Sequence, residues 1–174
     1  MLVGLALVIA CACVVNNYTD RGIDKKMSRT KNRALAAGKI SAASALTYAS
    51  VLGAGGIVVL SAFTNYLAVS LALAALFSYV VLYGVAKRRS AHGTLVGTIP
   101  GALPPVIGYV TVTNRLDTAA FLLFLILVFW QLPHFYAIAM YRYKDYKAAG
   151  LPVITVVKSM RAVKNQIIAY IFLY

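Results

Sequence analysis

Five long apolar stretches dominate the 174-residue sequence and constrain its fold more than any other feature. Each has about the roughly 20 residues that an α-helix needs to cross a bilayer. A sixth apolar stretch starts near residue 165. The pattern predicts an all-α, polytopic transmembrane helix bundle. The five predicted helices cover residues 2–18, 42–62, 66–86, 94–113 and 118–141.

The composition excludes most classes of soluble protein. Apolar residues make up 61% of the chain and charged residues only 12%. A soluble domain of this length cannot bury so much apolar surface. Disordered chains carry more charge, and a disulfide scaffold needs more cysteines than Cys11 and Cys13. The composition therefore indicates a membrane protein.

The basic residues are concentrated in three blocks between the apolar stretches, at residues 21–39, 87–89 and 142–164. The 17 Lys and Arg outnumber the 4 acidic residues, which in a soluble protein would suggest nucleic acid as a partner. If the helices alternate across the membrane, all three blocks lie on one side and only Arg115 lies on the other. This pattern predicts no nucleic-acid partner, but a multi-pass membrane protein whose basic loops face the cytoplasm. We therefore expect any site formed by these loops to face the cytoplasm, with the protein in the cell inner membrane.

Both ends of the sequence are unusual for a complete membrane protein. Met1 is followed at once by apolar residues without a basic segment, and the last apolar stretch is short. We therefore expect residues 1–174 to form a single transmembrane domain that is incomplete at both ends.

The few acidic residues point to a candidate site. The sequence contains no glutamate, and Asn16, Asp20 and Asp24 follow one another at intervals of four residues. If the first helix continues through them, their oxygens form one stripe that can bind a hard cation such as Mg²⁺. The alternative is that the two aspartates form exposed ion pairs with the surrounding cations. Nearby Arg29, Lys31 and Arg33 are candidates to hold a diphosphate beside the metal.

A second acidic segment repeats this arrangement. Asp145 follows the last complete helix and is flanked by Arg142 and Lys144, although an aspartate in such a position, taken alone, is more often an interfacial ion pair than a metal ligand. Lys87 is a further candidate for diphosphate binding together with Arg88, since Tyr79, Tyr83 and Lys87 recur every four residues on one helix face. The alternative for these cations is that they only set the membrane topology.

Two features of the apolar stretches allow more than one interpretation. His134 follows Pro133 within a membrane helix, where it is a candidate to bind haem or, equally, a hydrogen-bonded core histidine. Gly93, Gly97 and Gly101 form a stripe that favours close helix packing, or else lines a cavity.

Three segments carry a resemblance to a known family. The segment from Asn16 to Arg33 resembles the first aspartate-rich motif, NxxxDxxxD and its continuation, of the UbiA-type intramembrane prenyltransferases. Residues 92–109 and 130–153 are similar to later motifs of the same family, in the same order. The likeness is most specific for the protoheme IX farnesyltransferase (haem O synthase) branch.

The resemblance implies an all-α membrane enzyme that transfers a farnesyl group from farnesyl diphosphate to a vinyl group of haem B, giving haem O. It implies that Asp20, Asp24 and Asp145 are catalytic and that they bind Mg²⁺ together with Asn16. The implied partners are farnesyl diphosphate, haem B, the lipid bilayer and haem-handling membrane proteins. One position departs from the family pattern, because many members carry DxxxD at the second motif and Ala149 stands here four residues after Asp145.

Two other functions remain open. Another acceptor, such as 4-hydroxybenzoate or a chlorin, would fit the same superfamily. A non-catalytic membrane protein that binds anionic lipid through its basic loops is the alternative from another class.

Overall fold

The chain forms a bundle of helices, and a computed structural model describes all of it, residues 1–174. Five helical spans are long and apolar enough to cross a membrane, as predicted, which makes this an integral membrane protein. These spans are Leu2–Asp24 (α1), Ala42–Phe63 (α2), Tyr66–Arg89, Gly93–Thr113 (α5) and Thr118–Tyr141 (α6).

The third span and the end of the chain are built from shorter helices. The span Tyr66–Arg89 consists of α3 (Tyr66–Phe77), a π-helical segment (Ser78–Tyr83) and α4 (Gly84–Arg89). Beyond α6 the chain forms α7 (Tyr143–Ala149), α8 (Ile154–Val157) and α9 (Met160–Leu173).

Two predicted boundaries differ from the structure. Helix α1 does not end near residue 18, where the side chains become polar, but continues to Asp24. Helix α9 begins before residue 165, where Ser159 caps it by accepting a hydrogen bond from the Ala162 N–H. Asn16, Asp20 and Asp24 therefore all lie on one helix, as the predicted stripe requires.

Parts of all three basic blocks lie at one end of the bundle. The C-terminal end of α1, the end of α4 and the end of α6 meet at one end of the bundle, which we call the basic face. Arg115 lies in the α5–α6 turn at the opposite end. At that end the Asn65 side chain caps α3 and donates to the Val110 carbonyl oxygen at 2.7 Å, which holds the α2–α3 turn against α5.

The half of the bundle away from the basic face is closely packed. Leu60, Ile107 and Val110 are fully buried there in one apolar cluster. A Cβ atom added to Gly56 would lie 2.8 Å from the Gly4 carbonyl oxygen, so the backbones of α1 and α2 touch.

Candidate active site

Lys87 joins the first acidic segment to the end of α4. Its ammonium group donates to Asn16 Oδ1 and lies 2.5 Å from Asp20 Oδ2. Arg88 Nη2 donates to the other oxygen of Asp20 and to the Thr19 carbonyl oxygen, each at 2.8 Å. Asp20 is buried, so its charge is balanced by two cations from a different helix.

The π-helical segment carries the aromatic residues next to Lys87. The rings of Tyr79 and Tyr83 stack with centroids 5.5 Å apart, and the Lys87 ammonium lies 5.0 Å from the Tyr83 centroid. The prediction that Tyr79, Tyr83 and Lys87 share a face is confirmed. π-Helical segments are rare and are frequently found at functional sites, which fits this position.

Asp24 is held by the loop that follows α1. Arg33 Nη1 donates to its carboxylate at 3.0 and 3.3 Å, and the Thr30 hydroxyl donates to its carbonyl oxygen at 3.2 Å. Met27 and Thr30 are buried, which anchors this loop against the end of the helix. The loop therefore folds back over the last turn of α1 and brings Arg33 to Asp24.

Asp145 on α7 contacts the same loop. The Ser28 hydroxyl donates to its carboxylate at 2.8 and 3.1 Å, and the Ser28 N–H donates at 3.3 Å. These hydrogen bonds from Ser28, and then the nearby Arg142 and Arg29, hold the pKa of the Asp145 carboxyl below its usual value. The two acidic segments, far apart in the sequence, thus meet at the basic face.

The other predicted site residues lie at different distances from this cluster. Lys31 and Lys144 are exposed and form no ion pair with an aspartate. His134 is exposed on the outer surface of α6, where its ring stacks on Trp130 at 5.3 Å. The neighbouring Phe135 is 38% exposed and, unlike His134, lines the cavity described next.

An apolar cavity begins at Lys87 and runs into the bundle. Its outer part has a volume of about 260 Å³, its inner part has about 290 Å³, and the two share Tyr79, Gly97 and Phe135. Tyr146 and Leu151 also line the outer part. The inner part is lined mainly by apolar residues of α1, α3, α5 and α6, including Val8, Leu76, Pro100 and Pro104.

The glycine stripe both packs closely and lines this cavity. A Cβ atom on Gly97 would lie 3.0 Å from the Tyr83 ring, and one on Gly101 would lie 2.1 Å from Gln131 Oε1. Helix α5 stays continuous through its three prolines. Sequence reasoning missed Gln131, a buried amide that lines the inner part and whose signal was its polarity within an apolar stretch.

Comparison with known proteins shows which family this sequence belongs to. The profile of the UbiA prenyltransferase family matches residues 1–174. The chain belongs to the UbiA prenyltransferase family. It is 51% identical over 174 residues to a protein named protoheme IX farnesyltransferase from Photorhabdus laumondii, and 52% identical to one of the same name from Edwardsiella ictaluri.

A protein from Yersinia pseudotuberculosis with that name is 50% identical. In all three comparisons 99% of this chain is covered, but the chain spans only 59% of the length of these relatives. No solved structure matches the chain.

UbiA prenyltransferases generally depend on a divalent metal, and the donor atoms at the basic face are chemically suited to one. They are carboxylate and carboxamide oxygens, which hard cations prefer. The Lys87 ammonium already shows that two of them, on Asn16 and Asp20, can hold one cation together. No three His, Cys, Asp or Glu side chains come together in one cluster, but Mg²⁺ is commonly held by only one or two carboxylates together with water and phosphate oxygens.

Proposed function

We propose that the protein transfers a farnesyl group from farnesyl diphosphate to a vinyl group of haem B. The observation that carries the proposal is the cluster of Asp20, Lys87 and Arg88 at the mouth of an apolar cavity. A molecule with a charged head and a long apolar tail fits such a site. We choose farnesyl as the prenyl group and haem as the acceptor because the relatives at about 50% identity are named protoheme IX farnesyltransferase.

The diphosphate is assigned to the basic face. Lys87, Arg88 and Arg33 offer donors there, and Arg29 and Arg142 add positive charge around Asp145. Lys31 and Lys144 are assigned to an outer ring of cations that attracts the anion. Guanidinium groups suit phosphate oxygens because their donors are arranged in a planar fork.

The prenyl chain is assigned to the cavity. Its outer part brings the Tyr79, Tyr83 and Phe135 rings next to the mouth, where the bond to the diphosphate would break. Aromatic ring faces stabilise a nearby positive charge by about 0.5–2 kcal/mol each. The apolar inner part would hold the rest of the prenyl chain away from water.

Mg²⁺ held by Asn16, Asp20, Asp24 and Asp145 would neutralise the negative charge that develops on the leaving diphosphate. The chain's own role is to orient the diphosphate and to keep the reacting end of the prenyl group in an apolar, aromatic environment. Asp20, Asp24 and Asp145 are the residues that we assign as catalytic.

The haem acceptor is assigned to the side of α6. The exposed His134 ring, stacked on Trp130, offers a nitrogen ligand beside a flat aromatic surface. We further propose that the basic face lies on the cytoplasmic side of the cell inner membrane, with haem delivered and removed by other membrane proteins. The single Arg115 at the opposite end supports this orientation.

The proposal is tested by offering competing acceptors. Membranes containing the protein are incubated with farnesyl diphosphate, Mg²⁺ and either haem B or 4-hydroxybenzoate, and the products are identified by mass. We expect a farnesylated haem and no farnesylated benzoate. Farnesylation of 4-hydroxybenzoate alone would support the aromatic alternative, and no product with either acceptor would support a non-catalytic protein.

A further inference from the structure

The cations and the acidic oxygens of the site neutralise each other. Lys87 binds Asn16 and Asp20, Arg88 binds the second oxygen of Asp20, and Arg33 binds Asp24. The Lys87 and Asp20 side chains are each only 12% exposed. The oxygens assigned to a metal and the cations assigned to a diphosphate are therefore the same groups that pair with one another.

We propose that Lys87 competes with the metal for Asn16 and Asp20, and that its transfer to the diphosphate couples the binding of the two. This inference rests on the proposed function, which assigns the oxygens to a metal. An ammonium group and a divalent cation cannot occupy the same two oxygens, since they compete for the lone pairs and repel each other.

Each ligand binding alone leaves a charge without its partner. Metal at Asp20 separates Lys87 from both of its acceptors, and a largely buried ammonium group without an acceptor is costly. Diphosphate at Lys87 removes one of the two cations from Asp20, with a similar cost. When both bind, the metal takes the oxygens and the diphosphate takes the ammonium group, so every charge is paired.

Lys87 therefore weakens the binding of metal alone and strengthens the binding of metal with diphosphate. This opposite pair of effects distinguishes competition from simple attraction. A cation that only attracts the diphosphate would not hold two proposed metal ligands.

The test compares Lys87→Met with Arg89→Met in the purified full chain in detergent micelles. Both substitutions remove one positive charge from the end of α4, but Arg89 is exposed and forms no ion pair. Free Mn²⁺ is measured by electron paramagnetic resonance during titration. Mg²⁺ with inorganic pyrophosphate is titrated separately by calorimetry.

We expect Lys87→Met to bind Mn²⁺ alone about tenfold more tightly than the unmodified chain, because the metal no longer has to displace a hydrogen-bonded ammonium group from Asn16 and Asp20. It should bind Mg²⁺ with pyrophosphate about tenfold more weakly. Arg89→Met should change both affinities by much less. Lys87→Gln, which keeps a donor for Asp20, provides a second variant and should also bind Mn²⁺ more tightly.

The inference is overturned if both Lys87 variants bind Mn²⁺ no more tightly than Arg89→Met, or if no form of the chain binds Mn²⁺. The farnesyl transfer assay on the unmodified protein separates this failure from failure of the proposed function. If the unmodified protein transfers farnesyl to haem B but the Lys87 variants show no gain in Mn²⁺ affinity, only the competition by Lys87 is rejected and the proposed function stands.

Discussion

Ser28 donates both its N–H and its hydroxyl to the Asp145 carboxylate, 117 residues further along the chain. This contact joins the loop after α1 to α7 and so brings the two acidic segments to the same face of the membrane bundle. It also supplies hydrogen-bond donors to the single aspartate of the second motif. The surroundings of Asp145 are therefore formed by both acidic segments.

If Asp145 helps to bind Mg²⁺, Asp145→Asn should weaken farnesyl diphosphate binding and leave haem B binding nearly unchanged. The substitution keeps the shape of the side chain and removes its charge. Raising the Mg²⁺ concentration should recover part of the lost activity, since a weakened site is refilled by mass action. Activity is titrated against Mg²⁺ in both forms, and an unchanged magnesium dependence would assign Asp145 a structural role only.

The inner cavity should limit the length of the prenyl group. A methyl group on Gly101 would lie 2.1 Å from Gln131 Oε1, so Gly101→Ala forces the Gln131 side chain to move within the cavity lining. We expect the preference for farnesyl over geranyl diphosphate to fall by about tenfold, a typical effect of a small change in an apolar pocket.

Gly55→Ala is the matched control for this change, because a Cβ atom there meets nothing within 4 Å. It should leave the preference unaltered. Competition between the two diphosphates, with products separated by mass, measures the ratio. An equal effect of both substitutions would mean that the position of Gly101 is irrelevant to chain length.

Much of this arrangement follows from the sequence, but the long-range pairing does not. Hydropathy and length predict the five spans, and the four-residue spacing predicts the stripe of Asn16, Asp20 and Asp24. The partners Ser28 and Lys87 come from distant segments, and no local pattern indicates which cation reaches which aspartate. The short helices α7 and α8 were not predicted because they lack a long apolar period.

Acid should destabilise the turn at the end opposite the basic face. The hydrogen bond from the Ala120 N–H, followed by that from the Tyr109 hydroxyl, holds the pKa of Asp117 below its usual value. The stabilisation is complete above the usual aspartate pKa and is lost as the pH falls through the lowered one. Thermal unfolding midpoints measured in detergent across this acidic range should fall less steeply for Asp117→Asn than for the unmodified protein.

The proposed orientation can be tested by cysteine labelling. We expect Arg115→Cys to react with a membrane-impermeant maleimide added outside intact cells, and Lys31→Cys to react only after permeabilisation. Both residues are exposed, so access depends on the side of the membrane. Labelling of Lys31→Cys in intact cells would reverse the assigned orientation.

The most direct test of the account is haem farnesylation by membranes carrying Asp20→Asn. Asp20 is the buried carboxylate that Lys87 and Arg88 share, and Asn keeps its size while removing its charge. Asp117→Asn is the matched control at the opposite end of the bundle. With farnesyl diphosphate, Mg²⁺ and haem B supplied, we expect Asp20→Asn to lower the rate of product formation by about a hundredfold or more and Asp117→Asn to leave it close to normal. Near-normal farnesylation by Asp20→Asn, with equal amounts of protein in the membrane, would contradict the assignment of the active site.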